Sequence, residues 1–202
     1  MEKRKYTRLK NYDYRLPGAY FITVCTRGRE STLGHEQGGL IVLSALGLLV
    51  EQCLLQTSAH FGSHITIHSY VVMPNHIHFI VFIHADPVTF KPILKEPTAS
   101  KSGPGGVAPG SLGAIVGSFK AAVTRLWREH LNDVAELVWQ VGFYEHVIRH
   151  EEALLRIHQY ILDNPRQWQL DRENPECSKA SDFYRWLEQY HKWAAGVDFV
   201  QP

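Results

Sequence analysis

The chain has little of what would tie it to a membrane, a secretory route or a disulfide framework. Only three cysteines occur among 202 residues, Cys25, Cys53 and Cys177. They are odd in number, widely separated and in no metal-type or redox-type pairing, which fits a reducing cytoplasm. The longest apolar run, Leu40 to Val50, ends at Glu51 and Gln52 and is too short to cross a bilayer. The basic N-terminus continues into polar, tyrosine-rich sequence, so no secretory leader is expected. An excess of one charge is missing too. The 21 basic and 20 acidic residues leave a formal net charge of +1, so global electrostatics announce no nucleic-acid partner. What remains, 45% apolar and 20% charged residues, is the composition of one soluble globular domain with a sizeable core.

Local charge departs from this balance. Between Lys3 and Arg15, the residues Lys3, Arg4, Lys5, Arg8, Lys10 and Arg15 are interleaved with Tyr6, Tyr12 and Tyr14 against Asp13 alone. The mixture suits phosphate neutralisation with stacking on bases, and equally a solvated terminus. The most informative stretch lies further on. Ser69-Tyr70-Val71-Val72-Met73 and His76-Ile77-His78-Phe79-Ile80-Val81-Phe82-Ile83 meet at Pro74-Asn75, a strand–turn–strand pattern. Alternation puts His76, His78, Ile80 and Phe82 on one face, and Ile77, Phe79, Val81 and Ile83 on the other. Two imidazoles at this spacing either pack as a pair near a strand end or converge on one metal ion.

Along the rest of the chain, Ala19 to Thr26 reads as a first strand between Pro17-Gly18 and Gly28, and Arg27 to Gly39 as a loop. Ser44 to Leu55 reads as a helix, with Leu43, Leu46, Val50 and Leu54 at helical spacing. The first arm of the hairpin begins at His64. Residues 84–110, rich in Pro, Gly, Lys and Ser, form a long flexible loop. From Leu112 a helix turns Ile115, Phe119, Ala122, Val123, Leu126 and Trp127 to the core and leaves Lys120, Arg125 and Arg128 on other faces. Leu137 to Val141 reads as a short strand. Glu151 to Asn164 reads as a helix with an acidic first turn, stopped by Pro165, and Leu154, Ile157 and Ile161 form its buried stripe. Tyr160 and Asn164 lie one turn apart on an adjacent face. Residues 1–168 are expected to form the domain. Residues 169–202 are expected to form a tail, helical around Phe183, Trp186, Leu187 and Tyr190 and packed on it.

His76-Ile77-His78 matches the His-hydrophobic-His signature of HUH endonucleases, and Val72-Met73-Pro74-Asn75-His76-Ile77-His78 is similar to its form in single-tyrosine HUH transposases. Gly18-Ala19-Tyr20-Phe21-Ile22-Thr23, Leu112 to Lys120, Val138-Trp139-Gln140, Phe143 to Arg149 and Tyr160-Ile161-Leu162-Asp163-Asn164-Pro165 extend the match. Together, from about Tyr14 to Trp168, they resemble the REP-associated tyrosine transposases. The resemblance implies an α+β fold, a ferredoxin-like central antiparallel sheet flanked by helices. It implies Mg²⁺ or Mn²⁺ held by His76, His78 and Asn164, with Tyr160 as nucleophile. The product is a 5′-phosphotyrosine that can rejoin another end without a nucleotide cofactor.

The implied substrate is single-stranded or hairpin DNA, contacted by Arg4, Arg8, Tyr12 and Arg15, and by Lys120 and Arg125 on the helix. The expected setting is the cytoplasm, on DNA and away from membranes, as a monomer or a homodimer. Two rivals stay open: a hairpin-binding protein that no longer cleaves, and a small-molecule metalloenzyme built on His-x-His. The second lacks any third histidine or carboxylate at a metal-type spacing.

Overall fold

Strand β1 (Gly18–Cys25) is buried on both faces along nearly its whole length, which requires a place inside a sheet with covers on both sides. After it come the hairpin β2 (Gly34–Gln37) and β3 (Leu40–Leu43), α1 (Ala45–Phe61), β4 (Ile65–Met73), β5 (His76–Ile83), α2 (Leu112–Leu131), β6 (Tyr144–Ile148), α3 (Glu151–Asp163) and α4 (Asp182–Ala194). These elements are seen in a computed structural model that describes residues 9, 12–85, 108–131, 137–179 and 181–194. Four strands form one antiparallel sheet in the order β4-β5-β1-β6, and β2 and β3 pair separately. The chain adopts the expected α+β fold, a central antiparallel sheet flanked by helices.

Alternation along the strands sends different residues to each face. Tyr20, Ile22, Val24, Ile77, Phe79 and Val81 pack with Leu46, Val50 and Leu54 of α1 and with Ile115, Phe119 and Val123 of α2. Ala19, Phe21 and Ile80 pack on the opposite side with Ile157, Tyr160 and Ile161 of α3 and with Phe183, Tyr184 and Leu187 of α4. Among the described residues no helix is long and apolar enough to cross a membrane.

Three local readings change. Part of the expected loop 27–39 is strand, because the Gly38-Gly39 turn, at φ 63° and 80°, closes a hairpin of two four-residue strands. Such short, largely exposed strands leave too little alternation to be seen. The strand expected at Leu137–Val141 is reduced to a single bridge between Trp139 and Thr26, and regular pairing starts at Tyr144. Lys120 Nζ donates to the carbonyls of Gln140 and Gly142, each at 2.7 Å, and Gly142 turns the chain at φ 77°. Those carbonyls answer to an ammonium group rather than to a neighbouring strand. Finally, α3 ends at Asp163, and Asn164 opens a 3-10 segment to Leu170 with its own backbone still helical. Most of the expected long loop lies outside the described residues.

The start of α1 is set by a close approach. Ser44 caps the helix by accepting from Gly47 N at 3.1 Å, and Ser44 N donates to Leu33 O at 2.9 Å. A Cβ on Gly47 would stand 2.0 Å from Leu33 O. Gly47→Ala should gain about 1 kcal/mol of helix propensity and lose more to the displaced backbone, about 1–3 kcal/mol or beyond. A lower urea midpoint with an unchanged slope is the expected measurement.

Candidate metal centre

The register of β5 on β1 sets His76 opposite Cys25 and His78 opposite Thr23. It thereby points both imidazoles to the face covered by α3 and α4, where both are wholly buried. His78 Nδ1 lies 2.9 Å from Thr23 Oγ1, and His76 Nδ1 lies 2.8 Å from Asn75 Oδ1. The Nε2 atoms of His76 and His78 lie 3.8 and 3.7 Å from Asp171 Oδ2. That same oxygen accepts from Tyr160 OH at 2.7 Å, Asn164 Nδ2 at 2.8 Å and Tyr184 OH at 3.1 Å. Tyr160 OH is also 3.3 Å from His78 Nε2 and lies against Tyr184 OH. Two rings cover the group. Trp168 stacks on His76, and Phe183 lies parallel to Tyr160 at 3.6 Å between centroids, 2° from coplanar.

Burial alone would raise the Asp171 carboxyl. The charge of His76, then hydrogen bonding and charge from His78 and the Tyr160 hydroxyl, outweigh it and hold the group far below the usual carboxylate range. Tyr160 moves the other way. Burial, then Tyr184 and Asp171, push its phenol well above 10, so the hydroxyl is protonated at neutral pH.

His76, His78 and Asp171 each offer one ligand atom, all within 4.8 Å of one another. Bond lengths of about 2.0–2.2 Å put the ligand atoms of one cation about 3–4 Å apart, so the residues present fit a divalent metal. Two imidazoles and a carboxylate are an accepted donor set for such ions. Among the described residues Asn164 Oδ1 is buried without a hydrogen-bond partner, while the amide nitrogen of the same side chain meets Asp171.

The structure brings together the four residues singled out by sequence, Tyr160, His76, His78 and Asn164. Asp171 was missed, and with it the carboxylate whose lack counted against the small-molecule metalloenzyme. It lies in an aperiodic stretch after Trp168, where an acidic residue carries no positional signal. The expected DNA contacts that fall among the described residues are elsewhere. Arg4 and Arg8 lie outside the described residues. Tyr12 is half-buried, its hydroxyl 3.3 Å from that of Tyr20. Arg15 is exposed and paired with Asp13 at 2.7 Å. Arg125 pairs with Glu129 at 2.9 Å, and Lys120 is spent on its two carbonyls. Both belong to α2, on the side of the sheet away from the histidines.

The strand order, with a histidine-bearing hairpin under a helix that carries a tyrosine, defines an HUH-type α+β domain, the fold of the tyrosine transposases. A solved REP-associated tyrosine transposase, bound to a REP hairpin, matches with a TM-score of 0.50 and 18% identity over 100% of this chain and 92% of that one. The two share a fold. An uncharacterized protein of Haemophilus influenzae is 37% identical over 169 residues, 84% of this chain and 92% of that protein, and the chain belongs to its family. No family model matches the chain.

Two outcomes follow for the purified protein. Mn²⁺ at a hundred times its dissociation constant should stabilise it by about 2.7 kcal/mol, a rise in Tm of about 5–10 °C. Differential scanning calorimetry should show that rise lost in His78→Ala and in Asp171→Ala. In metal-free protein, the lowered Asp171 carboxyl supplies stability that is full above the unfolded value of about 4 and is lost as pH falls below it. Asp171→Asn should therefore flatten the decline of Tm between about pH 4 and pH 2.

Proposed function

We propose that the chain is a metal-dependent single-stranded DNA endonuclease and strand transferase, acting at hairpin-forming palindromic DNA through a 5′-phosphotyrosine on Tyr160. The observation that carries this reading is the phenol itself. It lies 3.3 Å from His78 Nε2 and donates to Asp171 Oδ2 at 2.7 Å, so nucleophile and ligand set form one constellation.

A divalent cation, Mg²⁺ or Mn²⁺, would be held by His76, His78 and Asp171 with Asn164 beside them, and when bound it polarises the scissile phosphate. Asp171 orients the phenol by accepting its hydrogen. As the Tyr160 oxygen bonds to phosphorus, the bond from phosphorus to the 3′-oxygen breaks. The phenol gives up its proton to water and the departing 3′-oxygen takes one up from water, leaving a free 3′-hydroxyl. The phosphotyrosine ester keeps the bond energy, so a second 3′-hydroxyl can reverse the step without a nucleotide cofactor. A REP hairpin is the DNA bound in the solved transposase of the same fold, and a folded hairpin with a single-stranded flank is the substrate class we assign here. The contacts to it would come from Arg4, Arg8, Tyr12 and Arg15, with Lys120 and Arg125 reached only by DNA that wraps past the sheet.

A second reading, hairpin binding without cleavage, is favoured by the burial of Tyr160, which is 8% exposed beneath α4. Incubation of a hairpin-bearing single strand with the protein and Mn²⁺, followed by a denaturing gel, separates the two. A slow band of protein-linked oligonucleotide, absent with Tyr160→Phe, is expected. Retention on a native gel with no covalent product would leave only the binding reading.

A further inference from the structure

Two carbonyl oxygens fix the orientation of a buried side chain in the turn before His76. Asn75 is wholly inaccessible, and its Nδ2 donates to the main-chain oxygens of Glu173 at 2.7 Å and Arg29 at 3.1 Å. A carbonyl only accepts, so the carboxamide cannot be turned the other way round. Oδ1 is then the atom 2.8 Å from His76 Nδ1. This oxygen also only accepts, so His76 carries a hydrogen on Nδ1. Nε2 is left as the ring atom that faces Asp171 and the one able to ligate a cation.

The nitrogen end of the same side chain reaches the other half of the centre. Glu173 N donates to Asp171 Oδ1 at 2.7 Å, so the residue whose carbonyl Asn75 holds also holds Asp171. The wholly buried Glu173 carboxylate pairs with Arg29 at 2.9 Å. Arg29 itself sits at φ 59°, in the left-handed region uncommon for residues with a side chain. Such a conformation persists where its surroundings over-determine it. Here the surroundings include the ion pair to Glu173, the hydrogen bond from Asn75 and the bond from Arg29 N to Thr26 O at 3.1 Å.

We propose that Asn75 is the positioning residue that joins the two halves of the metal centre: its Oδ1 sets the His76 ring, and its Nδ2 carries the turn that presents Asp171. The inference rests on reading His76, His78 and Asp171 as metal ligands. The hairpin does not depend on this side chain. Asn75 O accepts from Thr26 N at 2.9 Å and Thr26 Oγ1 at 3.0 Å, and Pro74 O accepts from Leu33 N at 2.9 Å. Removing the carboxamide therefore leaves the turn tied down by its backbone.

The probe is Mn²⁺ alone, titrated calorimetrically into the full chain and its variants, with thermal melting to establish that each is folded. Asn75→Ala should loosen Mn²⁺ about 10–100-fold, the usual effect of losing a group that orients a ligand. Asn75→Asp keeps the acceptor for His76 but turns an oxygen toward the two carbonyls. Its affinity should fall to that of Asp171→Ala, and adding Asp171→Ala to it should cost nothing further. Arg29→Gln touches no ligand, yet it should weaken Mn²⁺ in the same direction and also lose its effect in the Asp171→Ala background.

Affinity within about twofold of the parent in folded Asn75→Ala, or losses that add in the double variants, would overturn the proposal. Should Asn75→Ala fail to fold, Arg29→Gln with and without Asp171→Ala decides by the same criterion. Mn²⁺ binding needs no DNA. A chain that binds Mn²⁺ with these couplings but forms no covalent DNA product overturns the nuclease reading and supports this one. A parent that binds no Mn²⁺ overturns this one directly.

Discussion

A single buried carboxylate oxygen governs how the C-terminal part of the chain sits on the sheet. Asp171 Oδ2 takes hydrogen bonds from α3, from the residue that follows it and from α4, and it faces both imidazoles of β5. Removing a charged group from water costs several kcal/mol unless its partners surround it closely. Tyr160, Asn164 and Tyr184 must therefore converge on one point. The parallel stack of Tyr160 on Phe183 and the cover of Trp168 over His76 follow from that convergence.

The two faces of the sheet divide the work. On the side of α1 and α2 the packing is aliphatic and aromatic, and it fixes the twist and register of the strands. On the other side the same register delivers Thr23, His76 and His78 into a polar centre. β5 can serve both because it lies inside the sheet, where a period of two separates core residues from site residues. A one-residue slip against β1 would bury Ile77 in the centre and put His76 into the apolar core.

Much of this was legible in the sequence because it depends on local periodicity. Alternation assigned His76 and His78 to one face, and helical spacing put Tyr160 beside Asn164. The resemblance to the tyrosine transposases then joined the hairpin to the helix. What escaped depends on contacts between segments far apart. Asp171 matters because of where a 3-10 turn leaves it, and no spacing within 166–181 encodes that. Lys120 reads as a solvated lysine off the apolar stripe of α2, yet its ammonium reaches two carbonyls and removes them from a strand that the β-rich composition of 137–141 had suggested. Asn75 reads as a turn residue, and only the two carbonyls facing it reveal a tie between distant parts of the chain.

The hydrogen bond from Asn75 to Glu173 spans 98 positions, and its length along the chain has a consequence during synthesis. Domains fold from the N-terminus as they are made, at about 5–20 residues per second. The histidine hairpin and β1 are thus synthesised some seconds before Asp171 exists. Through that interval Asn75 and both imidazoles await a partner that has not been translated. A nascent chain or a product truncated before residue 171 carries the signature motif and the tyrosine, yet it lacks the carboxylate of the candidate ligand set. The candidate centre is therefore complete only in a chain made past residue 171.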